Sequence, residues 1–238
     1  MANLERKTVF VAGGAGSVGE GIVRSLIRDG ATVFVTSRKP EKIEQLKERL
    51  GSISSEQFHG IVGDLGDFGS AETVLAKVKE KCDYLNAVVA SLGGTWKGNL
   101  PLTQVSMEDW QKYLFTNLTT HFVCARTFLP LLTQQKESSY TFLGGFAAEQ
   151  AVPNYSLVSI PAAGQLMMAK ILMEEMKDSP VRINEVMVAS MVRTRNSKDE
   201  AQSNWITADE IGDYVSWLVS SEAHMVRSSV PYLREQVR

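Results

Sequence analysis

Three glycines spaced three residues apart follow the first apolar run of the sequence: Gly13, Gly16 and Gly19, in the segment VAGGAGSVG. Between a predicted strand and a predicted helix, such glycines allow a tight turn, close approach of the backbone to a pyrophosphate, and close helix packing. Ser17 and Val18 open the helix, whose positive N-terminal end attracts phosphate groups. Glycines also mark ordinary turns, so the position between strand and helix is what favours a dinucleotide site.

The end of the second predicted strand reads Thr36-Ser37-Arg38-Lys39 and lacks the acidic residue that usually binds the ribose hydroxyls of NAD. Arg38 offers a planar fork suited to a 2'-phosphate and to stacking on adenine, and Lys39 adds positive charge. We therefore expect NADP(H) to be preferred over NAD(H), with Ser37, Arg38 and Lys39 around its ribose. The alternative interpretation is a solvated basic loop before the next helix.

The elements that must position these residues are short β-branched runs alternating with longer stretches at helical spacing. The predicted strands cover residues 8–12, 31–36, 58–62, 85–91, 140–143 and 181–188. The predicted helices cover residues 18–29, 40–50, 70–81, 106–134, 156–177 and 208–220, and Thr207 with Glu210 forms a capping box before the last. The strands are apolar on both faces, which is typical of parallel strands covered on each side. This pattern predicts an α/β fold, a single Rossmann-type doubly wound parallel sheet flanked by helices on both faces.

Composition narrows the class of protein. The 238 residues carry 25 Lys and Arg against 27 Asp and Glu, so no global basic excess predicts binding to nucleic acid or to an anionic membrane. The absence of a linker, repeat, signal-peptide pattern or apolar run of about 20 residues predicts one domain, 1–238, with no membrane span. Two cysteines favour a reducing, cytoplasmic compartment, and three scattered histidines predict no metal site.

Over nearly its whole length the sequence resembles the short-chain dehydrogenase/reductase (SDR) family. The resemblance rests on the glycine loop, on Arg38, on Asn117 in a predicted helix, and on the strand segment Val181-Arg182-Ile183-Asn184. It implies a nicotinamide cofactor, a small-molecule substrate and a hydride-transfer reaction. It also implies that Asn117 helps to maintain a proton relay in the active site.

The same resemblance implies further cofactor contacts. Asp64, followed by Leu65 after the third strand, corresponds to the acid that contacts the adenine amino group; the alternative is an ordinary turn residue. Ser91 and Gly93 stand in the loop after the fourth strand, where Gly93 keeps the family's glycine. Thr194 matches the family's carboxamide-contacting threonine, one residue out of register.

The catalytic groups of the resembling family are missing from the matching positions. In that family a Ser binds the substrate oxygen, a Tyr exchanges the proton, and a Lys four residues later supports the Tyr. Here Gly144 and Gly145 end the strand that would carry the Ser. Alignment of the segment PAA at 161–163 with the family's Lys-Ala-Ala places Leu157 at the Tyr and Pro161 at the Lys.

A different register resembles the divergent enoyl-acyl carrier protein reductase branch. It makes Tyr155 the phenol and puts Ala162 at the lysine position. Tyr155 then acts at most as a neutral hydrogen-bond donor, because the lysine that accompanies the phenol in that branch is missing; the alternative is a tyrosine that packs at the helix start. Asn117 and Ser159 are the other catalytic candidates, and His121 is either a proton donor or a packed core residue.

Two classes of function stay open. The first is an atypical NADP(H)-binding SDR-like oxidoreductase that transfers hydride between NADPH and an unidentified small carbonyl, enone or imine. The second is a catalytically degenerate SDR-fold protein, a sensor or partner subunit that binds NADP(H) or another ligand, with a non-redox enzyme as a further variant. Thr95 and Trp96 lie on the loop where such a fold binds its substrate.

The predicted helix 156–177 is apolar around much of its circumference and needs burial on more than one side. In the resembling family this helix packs against its copy. We therefore expect a homodimer or homotetramer through helices 106–134 and 156–177. A methionine-lined substrate tunnel is the alternative use of this surface.

Overall fold

Parallel strands form the central sheet of the computed structural model, which describes residues 2–51, 56–94, 99–197 and 199–233. The described strands are β1 (Thr8–Ala12), β2 (Thr32–Ser37), β3 (Phe58–Val62), β4 (Ala87–Ala90), β5 (Ser139–Gly145), β6 (Arg182–Val188), β7 (Val192–Arg193), β8 (Ile206–Thr207) and β9 (Tyr232–Leu233). The main sheet has the order β3-β2-β1-β4-β5-β6-β9, and β7 pairs with β8 beside it. Every described pair of strands is parallel.

Helices cover both faces of this sheet. They are α1 (Ser17–Arg28), α2 (Pro40–Leu50), α3 (Phe68–Lys79), α4 (Met107–Leu114), α5 (Thr120–Leu132), α6 (Ser156–Glu175) and α7 (Ala208–Val219). Helices α1, α2 and α7 contribute to one hydrophobic cluster, and α3, α5 and α6 contribute to the other. The predicted doubly wound α/β fold is therefore confirmed.

The alternating side chains of β1 show why its sequence is apolar throughout. Val9 and Val11 belong to the cluster with α1, whereas Phe10 and Ala12 belong to the cluster with α5. Successive side chains of a strand point to opposite faces, so both faces of this strand need apolar residues. Full burial of a valine or phenylalanine contributes about 1.5 to 3 kcal/mol.

The predicted capping box of the last helix is present. The Thr207 side chain accepts a hydrogen bond from Glu210 N, while the Glu210 carboxylate accepts one from Thr207 N at 2.8 Å. Each residue satisfies a backbone N–H that the helix leaves unpaired. This fixes the start of α7, which packs against α1.

The single helix predicted over 106–134 is divided in the structure. A π-helical turn, Phe115–Thr119, separates α4 from α5. Thr120 donates from its hydroxyl to Thr116 O at 2.8 Å within this stretch. Turns of this kind occur often at functional sites, and this one carries Asn117.

Helix α6 combines a buried side with an exposed apolar one. It is the one helix in the described part of the chain with the length and apolar composition to cross a membrane. In this fold it packs against the sheet, and its Ala169 and Met173 lie in the core. Ile160, Met167 and Ile171 remain exposed. The helix thus serves as a core helix and presents an apolar stripe.

The order of the strands reverses between β1 and β4, because β1 pairs with β2 on one side and with β4 on the other. The connections after β1 and β4 therefore leave in opposite directions, and a crevice opens at the carboxyl ends of the two strands. Gly13 follows β1 and Ser91 follows β4 at this point. A Cβ atom on Gly13 would lie 2.1 Å from Ser91 O, so glycine is required there.

Candidate functional site

The crevice at the carboxyl ends of β1 and β4 is a cleft of about 190 Å³. Eight of the predicted cofactor residues line it: Gly13, Gly16, Ser37, Arg38, Asp64, Leu65, Ser91 and Gly93. The cleft thus collects residues that are far apart in the sequence and that follow β1, β2, β3 and β4. We refer to it below as the switch-point cleft.

The glycine loop forms one wall of the switch-point cleft. Gly13 has a φ of 79°, and its carbonyl oxygen accepts a hydrogen bond from Gly16 N at 2.9 Å. Gly16 is the N-cap of α1 and has no side chain to cap it, so the N–H groups of Ser17 and Val18 have no side-chain cap within the described residues. A loop that brings uncapped backbone donors to a cleft suits a phosphate group.

The opposite end of the cleft is basic. Arg38 is exposed at the cleft and forms no hydrogen bond or ion pair with any other described residue. Lys42, on the first turns of α2, lines the cleft as well. Lys39 does not; it is the N-cap of α2, and its N–H donates to the Ser37 hydroxyl at 3.2 Å. The predicted basic turn therefore offers Arg38 and Lys42 to a ligand.

Asp64 and Leu65 close the side of the cleft next to β3. Asp64 Oδ1 accepts a hydrogen bond from Leu65 N at 2.8 Å, which fixes the carboxylate in this turn. Phe115 from the π-helical turn lines the same cleft. A Cβ atom on Gly66 would lie 2.7 Å from the Phe115 ring, so the turn and the ring are in close contact. This end of the cleft therefore combines a carboxylate with apolar surface.

Asn117 connects the loop after β4 to the start of α6. Its Oδ1 accepts from Gly94 N at 2.7 Å, and its Nδ2 donates to Leu157 O at 3.4 Å. His121 supports the same loop, with Nε2 3.2 Å from Leu92 O. Burial lowers the pKa of His121 to about 4, so the ring is neutral at pH 7 and is a packed core residue. These contacts fix the loop that lines the cleft.

The other two catalytic candidates lie at the start of α6. Tyr155 is the residue before the helix and is 41% exposed. Ser159 has a buried hydroxyl with no hydrogen-bond partner in the described part of the chain. Neither lines the switch-point cleft, so their catalytic roles remain predictions. Thr95 and Trp96 fall outside the described residues.

A buried carboxyl group occupies the space beside Gly144 at the end of β5. A Cβ atom on Gly144 would lie 2.2 Å from Glu185 Oε1 on the neighbouring strand. Both Glu185 oxygens are buried without a hydrogen-bond partner among the described residues. Burial raises the pKa of Glu185 to about 8; Lys170 opposes this shift and Glu149 adds to it. The group is therefore mainly protonated at neutral pH.

The remaining predicted cofactor residues lie beyond the switch-point cleft. Ser17 and Thr194 line an adjacent cavity of about 270 Å³, between α1 and the segment after β6, and Val18 and Gly19 line neither cavity. The Ser17 hydroxyl accepts from Asn196 Nδ2 at 2.7 Å. The segment after β6 is thus attached to the N-terminus of α1.

Glu20 also holds the segment after β6 against α1, and this role was not predicted from the sequence. Its buried carboxylate pairs with Arg24 at 3.0 Å, with Arg49 from the end of α2 at 2.9 Å, and with Arg195 after β6. Three elements thereby converge on one carboxylate. A charge spacing of four residues marks the Glu20–Arg24 pair in the sequence, but Arg49 and Arg195 carry no such signal.

Several residues that line the cleft were missed from the sequence: Ala15, Thr36, Lys42, Gly63, Leu92, Phe115, Thr116 and Thr120. Lys42 was the one with a usable signal, because it lies one helical turn after Arg38 and Lys39. The others are small, hydroxylated or apolar residues whose role depends on the packing of distant elements. Within the described ranges no three His, Cys, Asp or Glu side chains gather as metal ligands.

The sequence is similar to those of known dehydrogenases and oxidoreductases. A family model described as short chain dehydrogenase matches residues 7–205. Serine 3-dehydrogenase of Agrobacterium fabrum is 25% identical over 241 residues, which cover 92% of this chain and 90% of that protein. Oxidoreductase asL5 of Sarocladium schorii is 26% identical over 96% of this chain and 94% of that protein.

The solved structure of a short-chain type dehydrogenase/reductase from Mycobacterium ulcerans has the same fold. It superposes with a TM-score of 0.89 at 18% sequence identity. The match covers 97% of this chain and 89% of that one. The order of strands and the crevice at their carboxyl ends thus belong to a known architecture.

Proposed function

Because the chain belongs to the short-chain dehydrogenase family, we propose that it is an NADP(H)-dependent oxidoreductase acting on a small organic carbonyl, enone or imine. Family membership establishes the coarser class, an SDR oxidoreductase with a nicotinamide cofactor. The choice of NADP(H), the substrate class and the unusual active site belong to the proposal.

The observation that carries the cofactor choice is the unpaired guanidinium of Arg38 in the switch-point cleft. Arg38 and Lys42 line the same cleft as Gly13 and Gly16, so one ligand can reach both ends. An unpaired guanidinium beside a phosphate-binding loop suits a second phosphate on the ribose. A cofactor without that phosphate leaves this positive charge without a partner.

The residues of the cleft fit the parts of such a cofactor. Gly13, Gly16 and the start of α1 would hold the pyrophosphate, because uncapped backbone donors meet there. Asp64 and Leu65 would hold the adenine. When bound, the cofactor supplies the hydride that adds to the electrophilic carbon of the substrate. The chain must bind and orient both reactants and provide a proton for the substrate heteroatom.

The source of the substrate proton is the unusual part of the proposed reaction. Gly144, Leu157 and Pro161 carry no acid at the positions that the family uses. Tyr155, assisted by Asn117 and Ser159, or a water molecule, is the proposed donor. Activated substrates such as conjugated enones or iminium ions need the least acid assistance, and positioning alone gives them an appreciable rate.

The test is to mix the purified protein with NADPH and a panel of carbonyls, enones and iminium ions while following the nicotinamide absorbance. We expect substrate-dependent loss of absorbance, with product formed in equal amount, for at least one class. Arg38→Gln should raise the KM for NADPH by about tenfold, a loss of about 1.4 kcal/mol. Lys47→Gln, on an exposed position of the same helix α2, should leave it unchanged.

A second candidate function follows from the same missing groups. A protein that binds NADP(H) but reduces none of these substrates would be a sensor or a partner subunit, or would catalyse a non-redox reaction in the cleft. Binding of NADPH without turnover of any substrate class would contradict the redox proposal and favour this one.

We also propose that the chain forms a homodimer or homotetramer through α5 and α6. Ile160, Met167 and Ile171 on α6 and Phe122 on α5 are exposed apolar side chains. A surface of this kind is typical of an interface between subunits. Light scattering at working concentration should give twice or four times the chain mass, and Met167→Glu with Ile171→Glu should reduce it; a monomeric wild-type protein would contradict the proposal.

A further inference from the structure

A second charged pocket lies at the amino-terminal ends of the strands, away from the switch-point cleft. This basal pocket has a volume of about 150 Å³, and its lining includes Lys7, Glu137, Arg182, His224 and Arg227. Lys7 precedes β1, and Arg182 is the first residue of β6. Since a strand rises about 3.3 Å per residue, the seven residues of β6 place the two ends of the sheet about 20 Å apart.

Positive charge predominates in the basal pocket. Lys7, Arg182 and Arg227 are cationic, and Glu137 is the one carboxylate among the described lining residues. Glu137 is 67% exposed and lies 3.9 Å from Lys7, the distance of a weak pair. Neither Arg182 nor Arg227 forms an ion pair with any described carboxylate. Glu137 therefore acts on Arg182 only from beyond ion-pair distance, and positive charge is in excess among the described lining residues.

Arg182 is held rigidly below this pocket. It is 95% buried, and its Nη1 donates to Leu218 O and to Ala223 O, both at 2.9 Å. These carbonyl groups belong to the end of α7 and the turn that follows it. They orient the guanidinium but do not neutralise it, because both acceptors are uncharged.

Arg227 is oriented in a similar way from the other side. Its Nη2 donates to Ser179 O at 2.7 Å and to Val181 O at 3.3 Å. A guanidinium has five N–H donors, and Nε and Nη1 of Arg227 have no acceptor among the described residues. Nε and Nη1 can therefore donate hydrogen bonds to a ligand in the pocket.

The electrostatics of Arg182 agree with this arrangement. Burial lowers its pKa, Glu137 opposes that shift, and the positive charge of Arg227 lowers the pKa further. The two guanidinium groups, one buried and one exposed, thus repel each other. An anion between them would relieve this repulsion.

We propose that the basal pocket binds a phosphate-like oxyanion, either inorganic phosphate or the phosphoryl group of a monoester. Arg227 supplies unpaired donors, Arg182 supplies a buried positive charge, Lys7 adds charge at the rim, and a tetrahedral oxyanion with a few waters fits about 150 Å³. The anion would join the segment before β1, the start of β6 and the turn after α7. This site is separate from the proposed cofactor cleft and does not depend on it.

The test is thermal unfolding of the full chain with increasing inorganic phosphate, at constant ionic strength maintained with chloride. Binding to the folded state raises the unfolding temperature with ligand concentration. We expect phosphate to raise it in the wild type, with an apparent Kd weakened at least about tenfold, or about 1.4 kcal/mol, by Arg227→Gln. Lys7→Gln should also weaken phosphate binding and should leave the fold intact, since the 3.9 Å pair with Glu137 is the one side-chain contact of Lys7 shown among the described residues.

Two controls separate this pocket from other sites. Lys79→Gln removes an exposed cation elsewhere and should leave the phosphate response unchanged. In an Arg38→Gln background, where phosphate binding in the switch-point cleft is weakened, Arg227→Gln should still reduce the remaining phosphate response. The absence of a phosphate-specific shift, a shift in Lys7→Gln and Arg227→Gln as large as in the wild type, or no effect of Arg227→Gln in the Arg38→Gln background would overturn the proposal. Tighter binding of phenyl phosphate than of inorganic phosphate would support a monoester as ligand, and the reverse order would support the free ion.

Discussion

Asn117 donates a hydrogen bond to the one carbonyl group of α6 that Pro161 leaves free. In an α-helix the N–H of residue 161 would bind the carbonyl oxygen of residue 157, but proline has no N–H. Asn117 Nδ2 reaches Leu157 O at 3.4 Å, and Asn117 Oδ1 accepts from Gly94 N at 2.7 Å. The asparagine thus compensates for the proline and at the same time fixes a loop next to the switch-point cleft.

Asn117→Ala should lower the free energy of unfolding by about 1 to 3 kcal/mol, because it leaves a partly buried carbonyl and an amide without partners. Pro161→Ala gives the helix its own donor for Leu157 O. The cost of Asn117→Ala should therefore be smaller in a Pro161→Ala background. Urea unfolding of the four proteins measures this coupling. Equal costs in the two backgrounds would show that the asparagine does not serve this carbonyl.

Glu185 makes stability depend on pH. Its folded pKa, raised by burial to about 8, lies above the ordinary value of 4.5, so the folded state holds the proton more tightly. Its contribution to stability is complete below pH 4.5 and is lost as pH rises through 8. Between these values each rise of one pH unit lowers the free energy of unfolding by up to about 1.4 kcal/mol.

Denaturant unfolding at pH 6, 7 and 8 measures this dependence. Glu185→Gln keeps the size of the side chain and removes the ionisation, so this variant should lose the decline. Glu44→Gln, an exposed substitution on α2, should retain it. A decline as steep in Glu185→Gln as in the wild type would assign the pH dependence to other groups.

Glu20→Gln should lower the free energy of unfolding by about 1 to 3 kcal/mol, since it leaves Arg49 and Arg195 without their ion-pair partner, while Arg24 keeps Asp209. Arg24, Arg49 and Arg195 share this carboxylate, so replacing any one of them by glutamine should cost less than Glu20→Gln. Urea unfolding of the four single variants measures the order. A change of less than about 0.5 kcal/mol for Glu20→Gln, as for an ordinary surface site, would contradict this role.

The sequence was informative wherever a local pattern carries the signal. The six predicted strands and five of the six predicted helices lie within two residues of their predicted bounds, because two-sided apolar runs and the Thr207–Glu210 capping box are local features. Gly13 and Arg38 were found for the same reason: each directly follows a predicted strand.

The features that were not predicted depend on contacts between residues that are distant in the sequence. The two-residue strands β7, β8 and β9 are too short for a periodic pattern, and pairing with other segments creates them. The break after α4 was missed because a π-helical turn has no strong local signal. Glu20 forms ion pairs with Arg49 and Arg195, which are distant from it in the sequence. Lys42, and not the predicted Lys39, lines the switch-point cleft because of the orientation of α2.

The most direct test of the central claim is a calorimetric titration of the purified protein with NADPH and with NADH. The unpaired guanidinium of Arg38 predicts that NADPH binds at least about tenfold more tightly than NADH, a difference of about 1.4 kcal/mol or more. Arg38→Gln should remove most of this preference while NADH binding stays the same. Equal affinity for the two cofactors would contradict the role of Arg38, and no binding of either would contradict a nicotinamide site in the switch-point cleft.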